Sequence, residues 1–202
     1  MPAKLKIYTD MPRTKSFDEI EVLDKATDLF WAQGYNGTPP QTILDGTGLS
    51  RSSLYDTYGD KHSLFLRCLH HYRDTETVAG IRYLDEAPDP TAAIRRLFQG
   101  YWDYAQAYLQ NKGCLMVNTL NEVAPHDPEV AAIVEENRQS LEDAYYRAVR
   151  RGQQQGKMDK AYPPRALARY LVNNLWGLTT QIKLGIEKKV ADDIVKIVLS
   201  VL

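Results

Sequence analysis

Arg51, Ser52, Ser53, Tyr55, Tyr58 and Lys61 lie close together in the segment TGLSRSSLYDTYGDKHSLF, residues 47 to 65. Cations and hydroxyls at this density suit the recognition of phosphate oxygens and base edges. An arginine fork matches guanine O6 and N7, and serine, tyrosine and lysine side chains hydrogen-bond to phosphate. Arg51 is therefore the candidate base reader. Ser50, Ser52 and Ser53 are small enough to let a helix N-terminus approach base edges or phosphate. The Tyr55 and Tyr58 hydroxyls, the Lys61 ammonium and the Thr38 hydroxyl are candidate phosphate contacts. Either tyrosine ring can instead roof a small core; phosphate contact is the preferred role of Tyr58. Asp56 either repels phosphate or accepts from cytosine. A helix built only for packing would carry several large apolar residues over two turns, whereas between Ser50 and Gly59 only Leu54 is aliphatic.

The elements that hold these residues are helical. Apolar residues recur at 3.6-residue spacing from Asp18 to the C-terminus, and no alternating β-branched run is bounded by turn residues. In FDEIEVLDKATDLFWAQGY, Asp18 caps a first helix with Glu21 reaching back to the cap, and Phe17 staples onto Val22. Gly34 ends that helix, with Tyr35 folding back on Phe30. A second, short helix opens at TPPQ, with Thr38 as cap, Pro39 at the first helical position and Gln41 completing a capping box. Gly48 permits a tight turn, Ser50 caps the third helix with Leu49 and Leu54 at its entrance, and Asp60 caps a long fourth. Two short helices joined by a tight turn form a helix-turn-helix, whose later helix lies in the DNA major groove.

TGLSRSSLYDTYGDKHSLF, preceded by TPPQTILDG and ATDLFWAQGY, resembles the DNA-binding domain of the TetR family of transcriptional repressors. The resemblance runs continuously over about residues 17 to 65, with types and spacings agreeing across three helices. One departure is Leu44, where the family usually has a small alanine. The remaining helices fit the family in number and length. The expected architecture is all-α: about nine helices, arranged as a flexible tail (1–16), a helix-turn-helix domain (17–60) and an effector-binding and dimerisation domain (61–202).

The rest of the sequence bounds this reading. At 202 residues and 44% hydrophobic content the chain can bury a real core, and its net charge of −1 exerts no global pull on nucleic acid. Residues 17 to 65 carry three cations against eight carboxylates. DNA affinity requires cations near the duplex, so Lys4, Lys6, Arg13 and Lys15 of the tail are expected to order on it. Cys68 and Cys114 form neither a disulfide framework nor a zinc-ligand spacing, and with His70, His71 and His126 they make no recognisable ligand set, so no metal is expected. No nucleophile, base and orienting group fall in a pattern and no glycine-rich phosphate loop is present, which argues against an enzyme. No apolar run has the length of a membrane span, and the start lacks a signal peptide's apolar run, so a cytoplasmic location is expected.

A half-site reader gains specificity by doubling about a two-fold axis. Leu171, Leu175, Leu178 and Ile182, with Ile194, Ile197, Val198 and Val201, give long apolar faces near the chain end. They are the candidate four-helix dimer interface, with an intramolecular core as the alternative for some. The resemblance implies a small-molecule pocket among the middle helices, with no cofactor. Tyr101, Trp102, Tyr104, Cys114, Asn118, Asn121, Tyr145, Asn174 and Trp176 combine apolar walls with polar groups in those segments. Cys114, opening a helix, is a candidate redox or electrophile sensor beside the plainer reading of a buried thiol. The function this implies is a homodimeric regulator that binds a near-palindromic operator and releases it when an effector occupies the C-terminal domain. The alternatives are a helix-turn-helix used for protein contact and a thiol switch at Cys114.

Overall fold

The computed structural model describes residues 17–110 and 112–202, and all regular structure among them is helical. The first three helices are α1 (Glu19–Gln33), α2 (Pro40–Thr47) and α3 (Arg51–Tyr58). Asp18 caps α1 by accepting from the Ile20 and Glu21 amides, but Glu21 pairs with Lys25 at 2.7 Å instead of returning to the cap. Gly34 closes the helix with φ 78° and ψ 168°, so the chain leaves extended and not through a left-handed helical turn. Tyr35 nevertheless returns onto Phe30, with ring centroids 6.1 Å apart, and both rings meet Phe65.

The start of α2 differs from expectation. Pro39, not Thr38, holds the cap position, and Pro40 is the first helical residue. A residue preceding proline is driven out of the helical region, and Pro39 accordingly has ψ 158°. Gln41 turns its amide to Asp45 at 2.8 Å and closes no capping box. Further on the caps are as read: Ser50 accepts from the Ser53 amide at 3.1 Å and Asp60 from the Ser63 amide at 2.6 Å.

α4 (Lys61–Tyr72) runs through a π-helical turn, Arg73–Thr77, directly into α5 (Val78–Glu86), so the two form one rod. α6 (Pro90–Tyr104) likewise ends in a π-helical turn, Ala105–Leu109. α7 (Leu115–Glu122), α8 (Pro128–Gln154), α9 (Pro164–Leu184) and α10 (Lys188–Val198) complete the chain. With α4 and α5 taken as one rod, the described residues form nine α-helical rods, with short 3-10 turns at Ala124–His126 and Leu199–Val201. α8 is the central strut, packed against α4, α5, α6, α7 and α9. One continuous core joins the α1–α3 unit, through Phe30, Ile43, Leu54 and Phe65, to the α6–α10 bundle. No helix among the described residues is long and apolar enough to cross a membrane.

Half of the expected dimer face belongs to this core. Leu171, Leu178, Ile182 and Val198 are each at most 3% exposed, because the stripe that carries them is the side on which α9 meets α8 and α10. Leu175, Ile194 and Val201 are half-buried against the same core, and only Ile197, 67% exposed, projects freely.

Candidate nucleic-acid interface and interior cavity

α3 buries Leu54 and Tyr58 and turns Arg51, Ser52, Tyr55 and Asp56 to solvent, with Ser53 and Thr57 half-buried at its flanks. Gly48, at φ 75° and ψ 9°, makes the left-handed turn that sets α3 across α2. Ser50 Oγ caps α3 while lying 3.0 Å from Ser52 Oγ and 2.8 Å from Ser53 Oγ. The three hydroxyls thus form a small cluster at the helix start, beside Arg51. Lys61 Nζ sits 4.2 Å from the Tyr35 ring centroid, and partial burial lowers its pKa.

Two expected phosphate contacts are corrected. Tyr58 is 4% exposed and its hydroxyl is buried without a partner, so its ring completes the core beneath α3. Thr38 is fully buried, and its hydroxyl donates to the Gly34 carbonyl at 2.6 Å, fixing the α1–α2 turn. Thr57 is a hydroxyl on the outer flank of α3 that the sequence reading passed over.

The acidic balance of this region resolves into local uses. Asp18 and Asp60 are caps, and Glu19, Asp24 and Asp28 reach Arg67, His71 and Lys112 respectively. Asp45, which accepts from Gln41, and Asp56 are the carboxylates left on α2 and α3. The tail cations Lys4, Lys6, Arg13 and Lys15 lie outside the described residues.

A cavity of about 420 Å³ opens between the α4–α5 rod, α6, α8 and α9. Five of the nine expected residues line it: Tyr101, Tyr104, Cys114, Tyr145 and Trp176. The other four do not. Asn118, Asn121 and Asn174 donate their amides to the backbone carbonyls of Lys112, Val117 and Tyr170. Trp102 lies under Lys188, whose Nζ is 5.1 Å from its ring. The sequence reading missed Trp31, Tyr72, Glu76, Arg96 and Asn137 as lining residues, and assigned Leu175 to the dimer face. Trp31 was hidden by its position, since it stands on α1 in the helix-turn-helix unit.

Cys114 occupies the cap position of α7, but burial raises its thiol pKa, outweighing the helix N–H groups that lower it. This favours the plainer of the two readings, a thiol packed in the cavity wall, over an activated sensor. Its Sγ lies 3.5 Å from the Tyr72 hydroxyl. Burial likewise raises the phenol pKa values of Tyr101 and Tyr145. Tyr104 is pushed up to about 12, by burial first and then by its hydrogen bond to Glu76.

The cavity and the α1–α3 unit are joined by specific bonds. Trp31 Nε1 donates to the Gly113 carbonyl at 3.1 Å. Glu122, at the end of α7, accepts from the Tyr35 and Asn36 amides at 3.0 and 2.8 Å. His62, on α4, pairs with Asp127, the cap of α8, at 2.7 Å.

Comparison with known proteins matches residues 22–68 to the family described as bacterial regulatory proteins, tetR family, and residues 90–198 to the tetracyclin repressor-like C-terminal domain. The uncharacterized HTH-type transcriptional regulator YezE of Bacillus subtilis is 36% identical over 193 residues, covering 95% of this chain and all of that protein. The HTH-type transcriptional repressor ComR of Escherichia coli is 28% identical, over 59% of this chain and 57% of ComR. Among solved structures, a cysteine mutant of the TetR family regulator CifR complexed with 26bp double-strand operator DNA superposes with a TM-score of 0.82 at 24% identity. That match covers 93% of this chain and 98% of CifR, and it bears on the fold alone.

Proposed function

Because the chain belongs to the TetR family of bacterial transcriptional regulators, we propose that it is a homodimeric repressor that binds a near-palindromic operator and releases it when a small molecule fills the cavity. The observation that carries this reading is the composition of α3: a two-turn helix that buries only Leu54 and Tyr58 and offers Arg51, Ser52 and Tyr55 outward. Arg51 reads a base edge, Ser52, Ser53 and Tyr55 bond phosphate, and Lys61 adds charge at the flank. Residues 17–60 form the reading unit and 61–202 the effector and dimerisation unit, with the basic tail ordering on DNA.

The dimer face proposed is the outer side of α9 and α10. On α9, Tyr170, Gly177 and Leu184 recur at seven-residue spacing and are exposed, and on α10 Val190 and Ile197 do the same. Such stripes pair into a four-helix bundle. Release is a population shift: the ligand favours a conformer whose α4 rods set the paired α3 helices at the wrong separation for successive grooves. The role is non-catalytic and, acting on operator DNA, cytoplasmic. Selection of bound sequences from a random DNA pool tests the reading. An enriched inverted repeat with half-sites about one helical turn apart is expected, and no enrichment overturns it.

A further inference from the structure

Asn137 carries the inference. It stands midway along α8, is 0% exposed and lines the cavity, yet neither its amide nitrogen nor its amide oxygen has a hydrogen-bond partner. The indole N–H of Trp176, also on the lining, is buried and unpartnered. Leaving such groups unmet is costly, and native interiors seldom tolerate it. A donor and an acceptor on one side chain, with a second donor nearby, describe the missing partner: a polar edge with its own acceptor and donor.

The walls define the remainder of that partner. Trp31, Tyr72, Tyr101, Tyr145 and Trp176 supply aromatic surface. A tyrosine ladder leads outward, with Tyr101 to Tyr104 at 6.3 Å, Tyr104 to Tyr108 at 5.4 Å, and Tyr108 74% exposed. Rings spaced in this way favour a planar aromatic guest. The charged residues of the lining, Glu76 and Arg96, are both exposed, and Glu76 is engaged by the Tyr104 hydroxyl at 2.9 Å. Inside, burial keeps the Tyr101 and Tyr145 phenols and the Cys114 thiol neutral. An ion that passed these two exposed side chains to reach Asn137 would lose its water and meet no counter-charge there.

We infer that the cavity takes an uncharged aromatic molecule that carries a carbonyl acceptor beside an N–H or O–H donor along one edge, the chemistry of an aromatic lactam or amide, paired with the side-chain amide of Asn137. The inference rests on the reading of the cavity as the effector site. It is tested on the full chain by titrating 2-quinolinone, N-methyl-2-quinolinone, naphthalene and 2-naphthoate, with tryptophan fluorescence and calorimetry as readouts. 2-Quinolinone is expected to bind on the order of tenfold more tightly than its N-methyl derivative, the loss of one buried hydrogen bond, because a site built to pair a donor rejects the analogue that lacks it. The naphthoate anion is expected to bind most weakly. Asn137→Leu should abolish the lactam preference while naphthalene still binds. At Gly100, on the lining, an added Cβ meets nothing within 4 Å. Gly100→Leu should therefore exclude all four probes, with circular dichroism and thermal midpoint showing the fold kept. Equal affinity for the two quinolinones, or a preference that survives in Asn137→Leu, overturns the ligand class, while the effector reading stands as long as Gly100→Leu still excludes naphthalene. Failure of every probe to bind the unaltered chain overturns both.

Discussion

Arg51 and Tyr58 begin and end the same two-turn helix, and their fates separate what the residue type suggests from what its position decides. Arg51 projects into solvent beside the serine cluster, whereas Tyr58 is 4% exposed with its hydroxyl unpartnered. Arg51→Ala should cost about 1–3 kcal/mol in binding to the selected operator and relax the preference at one base position. Tyr58→Phe should leave operator affinity unchanged. Removing an unsatisfied buried hydroxyl is neutral or stabilises by up to about 1 kcal/mol. Fluorescence anisotropy on operator and scrambled duplexes, with urea denaturation of each variant, checks both; a Tyr58→Phe protein with weakened operator binding would return that hydroxyl to the phosphate contacts.

At the scale of elements, caps do more than end helices, and Asp127 is the clearest instance. Its carboxylate accepts from the Glu129 and Val130 amides at the start of α8 and meets His62 of α4. These contacts, the Val130 amide first, hold its pKa below the usual carboxylate range. A depressed folded pKa gives stability that is present above the unfolded value of about 3.9 and lost as pH falls through the folded one. Asp127→Ala should therefore cost about 1–2 kcal/mol near neutrality, with Asp127→Asn, which keeps a capping oxygen, falling between. Denaturation across pH 3 to 7 should show the gap between Asp and Asn closing at the acid end. Caps of this kind were legible in the sequence because they depend on one side chain and the next three amides, as at Asp18, Ser50 and Asp60. The start of α2 was not read correctly, because consecutive prolines shift the boundary by one residue. The π-helical turns have no sequence mark at all. The cavity was half legible: aromatic residues on α6, α8 and α9 pointed to it, but Trp31 enters from α1 through tertiary packing, and of three asparagines that looked like ligands, Asn121 and Asn174 bond within their own helices and Asn118 to the segment before α7.

For the whole molecule the question is how a filled cavity is felt at α3, and through which contacts two copies meet. Glu122 ties the end of α7 to the α1–α2 turn through two amides, and the fit is close enough that a Cβ at Gly34 would lie 2.6 Å from its Oε2. Glu122→Ala should speed hydrogen exchange at Tyr35 and Asn36 while the core amides of α8 stay protected, which reads the tie directly. The dimer admits a test whose sign differs between monomer and assembly. The apolar stripe of α9 that periodicity identified is spent inside the protomer, since α9 is apolar on two sides and spacing alone cannot tell which faces inward. On the outer side Gly177 sits between Tyr170 and Leu184, exposed, with nothing within 4 Å of a Cβ built on it. In an isolated protomer Gly177→Gln should stabilise the helix by up to about 1 kcal/mol, because glycine is a poor helix former. If that glycine lies in the seam between two copies, the same side chain wedges the helices apart. Sedimentation should then show a shift toward monomer, and affinity for the inverted repeat should fall to that for a single half-site. A Gly177→Gln protein that remains dimeric and gains thermal stability would remove this face from the interface.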